Sequence, residues 1–191
     1  MKTQTVIAIR FLLGMIILTG IAYPFFMTGV AQVFFTKKAN GSLLIKDEKV
    51  IGSRLISQKS DSIIYFSSRP SAIDYNPIPS MGSNLGPTSD KLKKQVIERR
   101  RTFARVNSIK DTTAIPMEMY LASSSGLDPH ISPETARLQV ERIAIARELN
   151  NDQKQRVQDL IRSMALEPQF YILGERRINV FELNLALDNI K

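Results

Sequence analysis

The chain has 191 residues, one histidine and no cysteine, so the side chains that could do chemistry are few. His130 stands in Asp128-Pro129-His130, just after Ser123-Ser124-Ser125. Serine, histidine and aspartate are the components of an acyl-transfer triad: a nucleophile, a base and a group to orient the base. The Gly-x-Ser-x-Gly turn that would present such a serine is missing. The plainer reading of His130 is a loop histidine bonding backbone between Pro129 and Pro133. A second candidate, Gly82-Ser83-Asn84-Leu85-Gly86-Pro87, is glycine-rich. It lacks the lysine and the preceding strand of a phosphate cradle, so it reads as a folded surface loop. The turn-like run from Ser123 to Asp128 could gather an anion on its amides, but it reads better as a plain loop. No carboxylate cluster suggests a cation site. Disulfides, thiol catalysis, cysteine-bound metals and multi-histidine metal sites are excluded by composition. The residues alone imply a membrane-anchored, non-enzymatic domain with two unusual loops. A stand-alone envelope hydrolase or binding module using Ser124 and His130 is the alternative.

The elements that must position these loops can be read from caps and periodicity. Ser89 caps a helix running to about Asn107, with Leu92, Val96, Phe103 and Val106 on one face. Its other face is basic, from Lys91 to Arg105; without interleaved aromatics it reads as a solvated face rather than a nucleic-acid surface. Ser132-Pro133 opens a second helix, with Leu138, Ile145 and Leu149 as apolar markers. Asn150 and Gln153 form a capping pair for a third, which carries Val157, Leu160, Ile161 and Met164 and ends before Pro168. Asn179 and Glu182 open the last, with Leu183, Leu187 and Ile190 inward. Val50–Ser57 and Ile63–Phe66 read as strands. Between Arg69 and Thr88, Pro70, Pro77, Pro79 and Pro87 forbid any long regular element. The fold class is α+β.

From Phe11 to Thr36 there is no charged residue. About 20 residues suffice to cross a bilayer core, so this run is long enough to span with some tilt. Gly14, Gly20 and Gly29 offer small surfaces for a neighbouring helix, and Pro24 predicts a kink. Gly20-Ile21-Ala22 loosely fits a signal cleavage site, but the apolar run continues to Phe35, which favours a retained anchor. The net charge is +8, an excess that fits a nucleic acid, headgroups or an acidic partner alike. Basic residues flank the run on both sides, so the positive-inside count does not place the body outside.

Several stretches carry a resemblance. They are Gly52-Ser53-Arg54-Leu55-Ile56-Ser57-Gln58; Tyr65-Phe66-Ser67-Ser68-Arg69-Pro70-Ser71-Ala72; Gly82 to Thr88; and Ser125-Gly126-Leu127-Asp128-Pro129-His130-Ile131-Ser132-Pro133. Gln139-Val140 with Arg142 and Arg147, Leu173-Gly174-Glu175, and Asn179-Val180 with Leu183-Asn184 follow in the same order. Together they resemble the C subunit of the bacterial Kdp potassium-transporting ATPase, over essentially the whole chain. Met81, Ser89, Ser124 and Arg176 depart from it, where the family usually has Gly, Asn, Gly and Pro.

The resemblance implies a single-pass inner-membrane protein. Residues 1–10 would be cytoplasmic, 11–36 the transmembrane helix, and 37–191 a single mixed periplasmic domain. Its partners would be the potassium-translocating A subunit, the ATP-hydrolysing B subunit and the small F subunit, besides the membrane, and no nucleic acid. It implies a non-catalytic subunit that supports assembly and acts as a catalytic chaperone raising the ATP affinity of the B subunit. No cofactor would be tightly bound; ATP would be met only through a transient complex with the B subunit. By the same resemblance Gln139 would be the nucleotide-contact residue. Arg69, Pro70, Ser83, Asn84, Leu85, Gly86, Gly126, Asp128 and His130 would lie in loops that contact other subunits.

Overall fold

The computed structural model describes residues 2–60, 62–78 and 81–190. Pro79, one of the prolines of the irregular stretch, lies outside the described residues. The chain divides into two compact units, one reaching Ser53 and the other starting at Arg54.

In the first unit, α1 (Lys2–Ile17) and α2 (Tyr23–Phe34) are joined through a π-helical turn, Leu18–Ala22. The helical stretch Thr3–Phe34 has 32 residues. At 1.5 Å per residue that is about 48 Å, against about 30 Å for a hydrocarbon core, so it is long and apolar enough to cross a membrane. Pro24 accounts for the π turn. Its missing N–H strips Gly20 of a partner, and the backbone widens one turn earlier so that the Tyr23 N–H reaches the Leu18 carbonyl, five residues back. The helix begins before the expected Phe11 and stops at Phe34, because Phe35 leaves helical geometry at φ −135° and ψ 34°. One further turn, α3 (Thr36–Ala39), follows.

A hairpin completes this unit: β1 (Leu43–Lys46) pairs antiparallel with β2 (Lys49–Ser53). Asp47 and Glu48 form the two-residue turn, at φ 50° and 62°. Two positive φ values match the right-handed twist of the strands. The expected strand over Val50–Ser57 is therefore displaced and shorter. Its partner has no alternating pattern to reveal it, since Leu43-Leu44-Ile45 is apolar throughout.

The second unit holds α4 (Asp90–Val106), two 3₁₀ turns (Thr112–Ala114 and Met117–Met119), β3 (His130–Ile131), α5 (Pro133–Ala146), α6 (Asn151–Met164), β4 (Ile178–Asn179) and α7 (Val180–Leu187). The caps fall where the sequence puts them. Ser89, Ser132 and Asn179 accept from the backbone N–H three residues on, and Asn150 with Gln153 forms the full reciprocal box. Glu182 does not return the favour to Asn179; its carboxylate pairs with Arg54 at 2.5 Å. β3 and β4 make a two-rung antiparallel ladder, His130 opposite Asn179 and Ile131 opposite Ile178. The core gathers Phe66, Ile143, Val157, Ile161, Leu183 and Leu187, all without exposed surface. Ile145, expected inward, is exposed; the buried face of α5 instead runs through Ala136, Gln139, Val140 and Ile143.

The expected strand Ile63–Phe66 does not form. Among the described residues no partner strand runs beside it; the Tyr65 N–H closes a turn on the Ser62 carbonyl at 3.2 Å, and side chains take the carbonyls and the Phe66 N–H.

Candidate functional site

The segment Ile63–Arg69 carries one family-motif loop across the second unit, and α5 and α7 hold it. Phe66 points into the core and has no exposed surface. Its N–H donates to Asn184 Oδ1 at 2.8 Å, and Asn184 Nδ2 donates to its carbonyl at 2.9 Å. One residue on, the Ser67 N–H donates to Gln139 Oε1 at 2.8 Å, and Gln139 Nε2 donates to the Ser67 carbonyl at 3.2 Å. Each carboxamide thus presents one acceptor and one donor to one residue's backbone, as a neighbouring strand would. The sequence signal Ile-Ile-Tyr-Phe is that of extended chain, but the pairing partners are side chains from helices.

Two arginines complete the clamp. Arg142 donates to the carbonyls of Ile63 and Tyr65, to Gln139 Oε1 at 2.9 Å and to Asn107 Oδ1 at 2.9 Å. Burial lowers the pKa of its guanidinium, yet four acceptors justify keeping a charge there. Arg147 donates to the Ile64 carbonyl at 2.7 Å and to Asp188 Oδ1 at 2.8 Å, and stacks on the Tyr65 ring at 4.8 Å. The Tyr65 hydroxyl closes the circle on Asp188 Oδ2 at 3.1 Å. Every carbonyl from Ile63 to Ser67 therefore has a side-chain donor.

The clamp delivers Arg69. Its Nη1 donates to Asp128 Oδ2 at 2.9 Å, and its carbonyl accepts from the Tyr75 hydroxyl at 2.9 Å. Asp128 Oδ1 accepts the His130 N–H at 3.0 Å and lies 3.3 Å from His130 Nδ1. Burial pushes the Asp128 carboxyl up, but the bonds from His130 and Arg69 together hold it below the ordinary carboxylate range. Arg69, Asp128 and His130 are each about a quarter to a third exposed. They form a charged ridge between two surface clefts, one walled by Leu55, Ile56 and Leu121–Ser125, the other by Glu118, Ser132 and Gly174–Arg177.

The two motif loops meet. The Ser123 N–H bonds the Pro70 carbonyl at 3.3 Å. Gly126 sits at φ +72°, where an added Cβ would lie 2.7 Å from Ile73 Cγ1. A Cβ on Gly82 would lie 2.6 Å from the Ser124 carbonyl oxygen. Both glycines are close-approach positions. Of the other predicted residues, Ser83, Asn84 and Gly86 are exposed and Leu85 is half-buried; Asn84 adopts φ 50°.

His130 is not the backbone-bonded loop histidine expected. It lies on β3 and its ring meets a carboxylate. Ser123 is buried, with its backbone spent on the inter-loop bond, so the serine run builds the loop junction. Gln139 is fully buried and its carboxamide is committed to Ser67 and Arg142. Asn184, Arg142 and Arg147 carry as much of the site as Gln139 does. The signal for Arg142 and Asn184, as for Gln139, was a polar side chain on an otherwise inward helix face.

A sequence model of the family described as "K+-transporting ATPase, c chain" matches residues 5–189. The chain belongs to the KdpC family. A potassium-transporting ATPase KdpC subunit of Mycobacterium bovis is 42% identical over 192 residues, covering 100% of both chains. One from Paraburkholderia phytofirmans is 46% identical over 177 residues, 91% of this chain and 90% of its own. One from Cereibacter sphaeroides is 42% identical over 188 residues, 98% of each. A KdpC chain is a subunit of a potassium-transporting ATPase, and an N-terminal helix long enough to cross a bilayer is consistent with that.

Proposed function

We propose that this chain is the single-pass, non-catalytic C subunit of an ATP-driven potassium uptake complex. It assembles with the A, B and F subunits, and its second unit lies on the periplasmic face. The family membership of the full chain carries this reading, together with the helix Thr3–Phe34, whose large side chains are exposed along its length and ask for lipid or a neighbouring helix. Charge counting leaves the side open; the outer placement rests on the likeness to the family.

In this reading the ridge Arg69–Asp128–His130 and the adjoining loop Ser83–Gly86 cover the extracellular mouth of the A subunit. ATP is hydrolysed on the opposite side of the membrane, so any rise in the B subunit's ATP affinity must pass through coupled conformations of the subunits. The saturated, buried carboxamide of Gln139 favours a positioning role for it over direct contact with nucleotide. Gln139 holds Ser67, and Ser67 sets the line of the chain into Arg69. Photo-crosslinkers at Asn84 and His130 in the assembled complex test the placement. Adducts with extracellular loops of the A subunit are expected; adducts confined to cytoplasmic domains of the B subunit would refute it.

A further inference from the structure

Positive charge in the second unit is concentrated on one helix and the turn after it. Residues 90–110 carry eight lysines and arginines against two acids, a net +6, while the rest of residues 54–191 carries twelve against fourteen, a net −2. Away from α4 the cations are answered: Arg54, Arg69, Arg147, Lys154, Arg162 and Arg176 each pair with a carboxylate. On the outer side of α4 four are not. Lys91, Lys94, Arg101 and Arg105 are exposed, and among the described residues none of the four meets a carboxylate. Phe103 marks the buried side of the helix. Arg100 is spent inward, on the Thr112 carbonyl at 2.9 and 2.6 Å and over the Tyr120 ring.

Lys91, Lys94, Glu98, Arg101 and Arg105 follow one another at steps of three, four, three and four residues, which keeps them in one row along a helix. At 1.5 Å per residue the row is about 21 Å long. It reads as two basic pairs with an exposed carboxylate between them. Ile97, 50% exposed, stands beside Lys94 and Arg101. Like charges at these spacings repel, so the row costs the helix stability when nothing faces it. An acidic partner reverses that sign. Glu98 decides which kind of partner. A continuous layer of phosphates, on a membrane or a nucleic acid, repels a carboxylate in the middle of the row. A protein can answer Glu98 with a cation and cover Ile97 with an apolar side chain.

We propose that this row docks a segment of a neighbouring subunit that lies along α4, with carboxylates for the two basic pairs, about 16 Å apart, and a lysine or arginine for Glu98. The surface lies on a different element from the ridge Arg69–Asp128–His130. The inference rests on the reading of the chain as a subunit of a larger complex.

The full chain, fluorescently labelled, is titrated in non-ionic detergent against a complex of the A, B and F subunits. Two salt concentrations are used: about 0.1 M, where charges act over about 10 Å, and about 1 M, where they act over about 3 Å. Each exposed ion pair contributes up to about fivefold in affinity. The double variant Lys94→Glu/Arg101→Glu should therefore bind about tenfold more weakly in low salt and within about twofold of wild type in high salt. Lys91→Gln/Arg105→Gln, the milder companion, should move the same way by less. Glu98→Lys should also weaken binding, although it adds positive charge. Wild-type binding by the double variant in low salt overturns the proposal, as does a loss of equal size at both salt concentrations. Glu98→Lys binding as tightly as wild type, or more tightly, overturns the protein partner in favour of a phosphate surface. A wild-type chain that does not bind the complex in either salt overturns the subunit reading, and this inference with it.

Discussion

Replacing Gln139 by leucine tests the clamp, because the side chain keeps its bulk and loses its carboxamide. Three groups lose a partner: the N–H and the carbonyl of Ser67, and one nitrogen of Arg142. Leaving a buried polar group unsatisfied costs about 1–3 kcal/mol. Ser67 is half-buried and water can reach part of it, while the added apolar burial of leucine offsets a further part, so the net loss should be about 2–4 kcal/mol. In a unit of this size, 1 kcal/mol moves Tm by roughly 3 °C, which sets an expected drop of about 6–12 °C. Near-ultraviolet circular dichroism of the purified full chain in detergent reads it, since Tyr65 and Phe66 lie on the clamped segment. Gln139→Glu is the informative companion. Its carboxylate can still accept from Ser67 and Arg142 but cannot donate to the Ser67 carbonyl, so it should fall between wild type and leucine. An unchanged Tm for Gln139→Leu would refute the clamp. Should such a variant keep its fold while the assembled complex loses ATP affinity, the glutamine acts on nucleotide and not on the segment.

Other perturbations follow from the same geometry. Gly126→Ala puts a Cβ 2.7 Å from Ile73 Cγ1 at φ +72°; it should cost about 2 kcal/mol and expose the loop around Ile73 to limited proteolysis. Asp128 has a depressed folded-state pKa, so its contribution is present above the unfolded carboxyl value and is lost as pH falls through the folded one. Asp128→Asn should therefore flatten the acid limb of a stability-against-pH curve while lowering stability near neutrality; an unaltered acid limb would show that the Arg69 and His130 bonds carry no linkage. Ser132→Ala removes the cap from Thr135 and a hydroxyl bonded to Glu118 Oε1 at 2.7 Å. A loss of about 1–2 kcal/mol in urea unfolding is expected.

The helices of the second unit were legible because their ends are chemical signals: Ser89, Ser132, Asn150 and Asn179 each cap where a cap residue precedes an apolar repeat. What could not be read locally is where a stretch finds its hydrogen bonds. Ile63–Phe66 has the composition of a strand, yet it starts in a turn and the partners of its carbonyls sit on α5 and α7, some 70 to 120 residues later in the chain. No propensity encodes that, since it depends on Gln139, Arg142, Arg147 and Asn184 arriving on faces that turn inward together. The same holds for the two-residue strands β3 and β4, too short for any period, which set His130 opposite Asn179. The misplaced face of α5 has the same root. Leu138 does pack against the core while Ile145 faces out, and the fully inward positions include Gln139 and Arg142 because the backbone of Ile63–Ser67 needs donors and acceptors there. A polar residue on a buried helix face is thus the sequence's trace of a distant segment with unpaired amides. In this family fold that trace leads from α5, through Ser67, to the charged ridge the motif loops were built to hold.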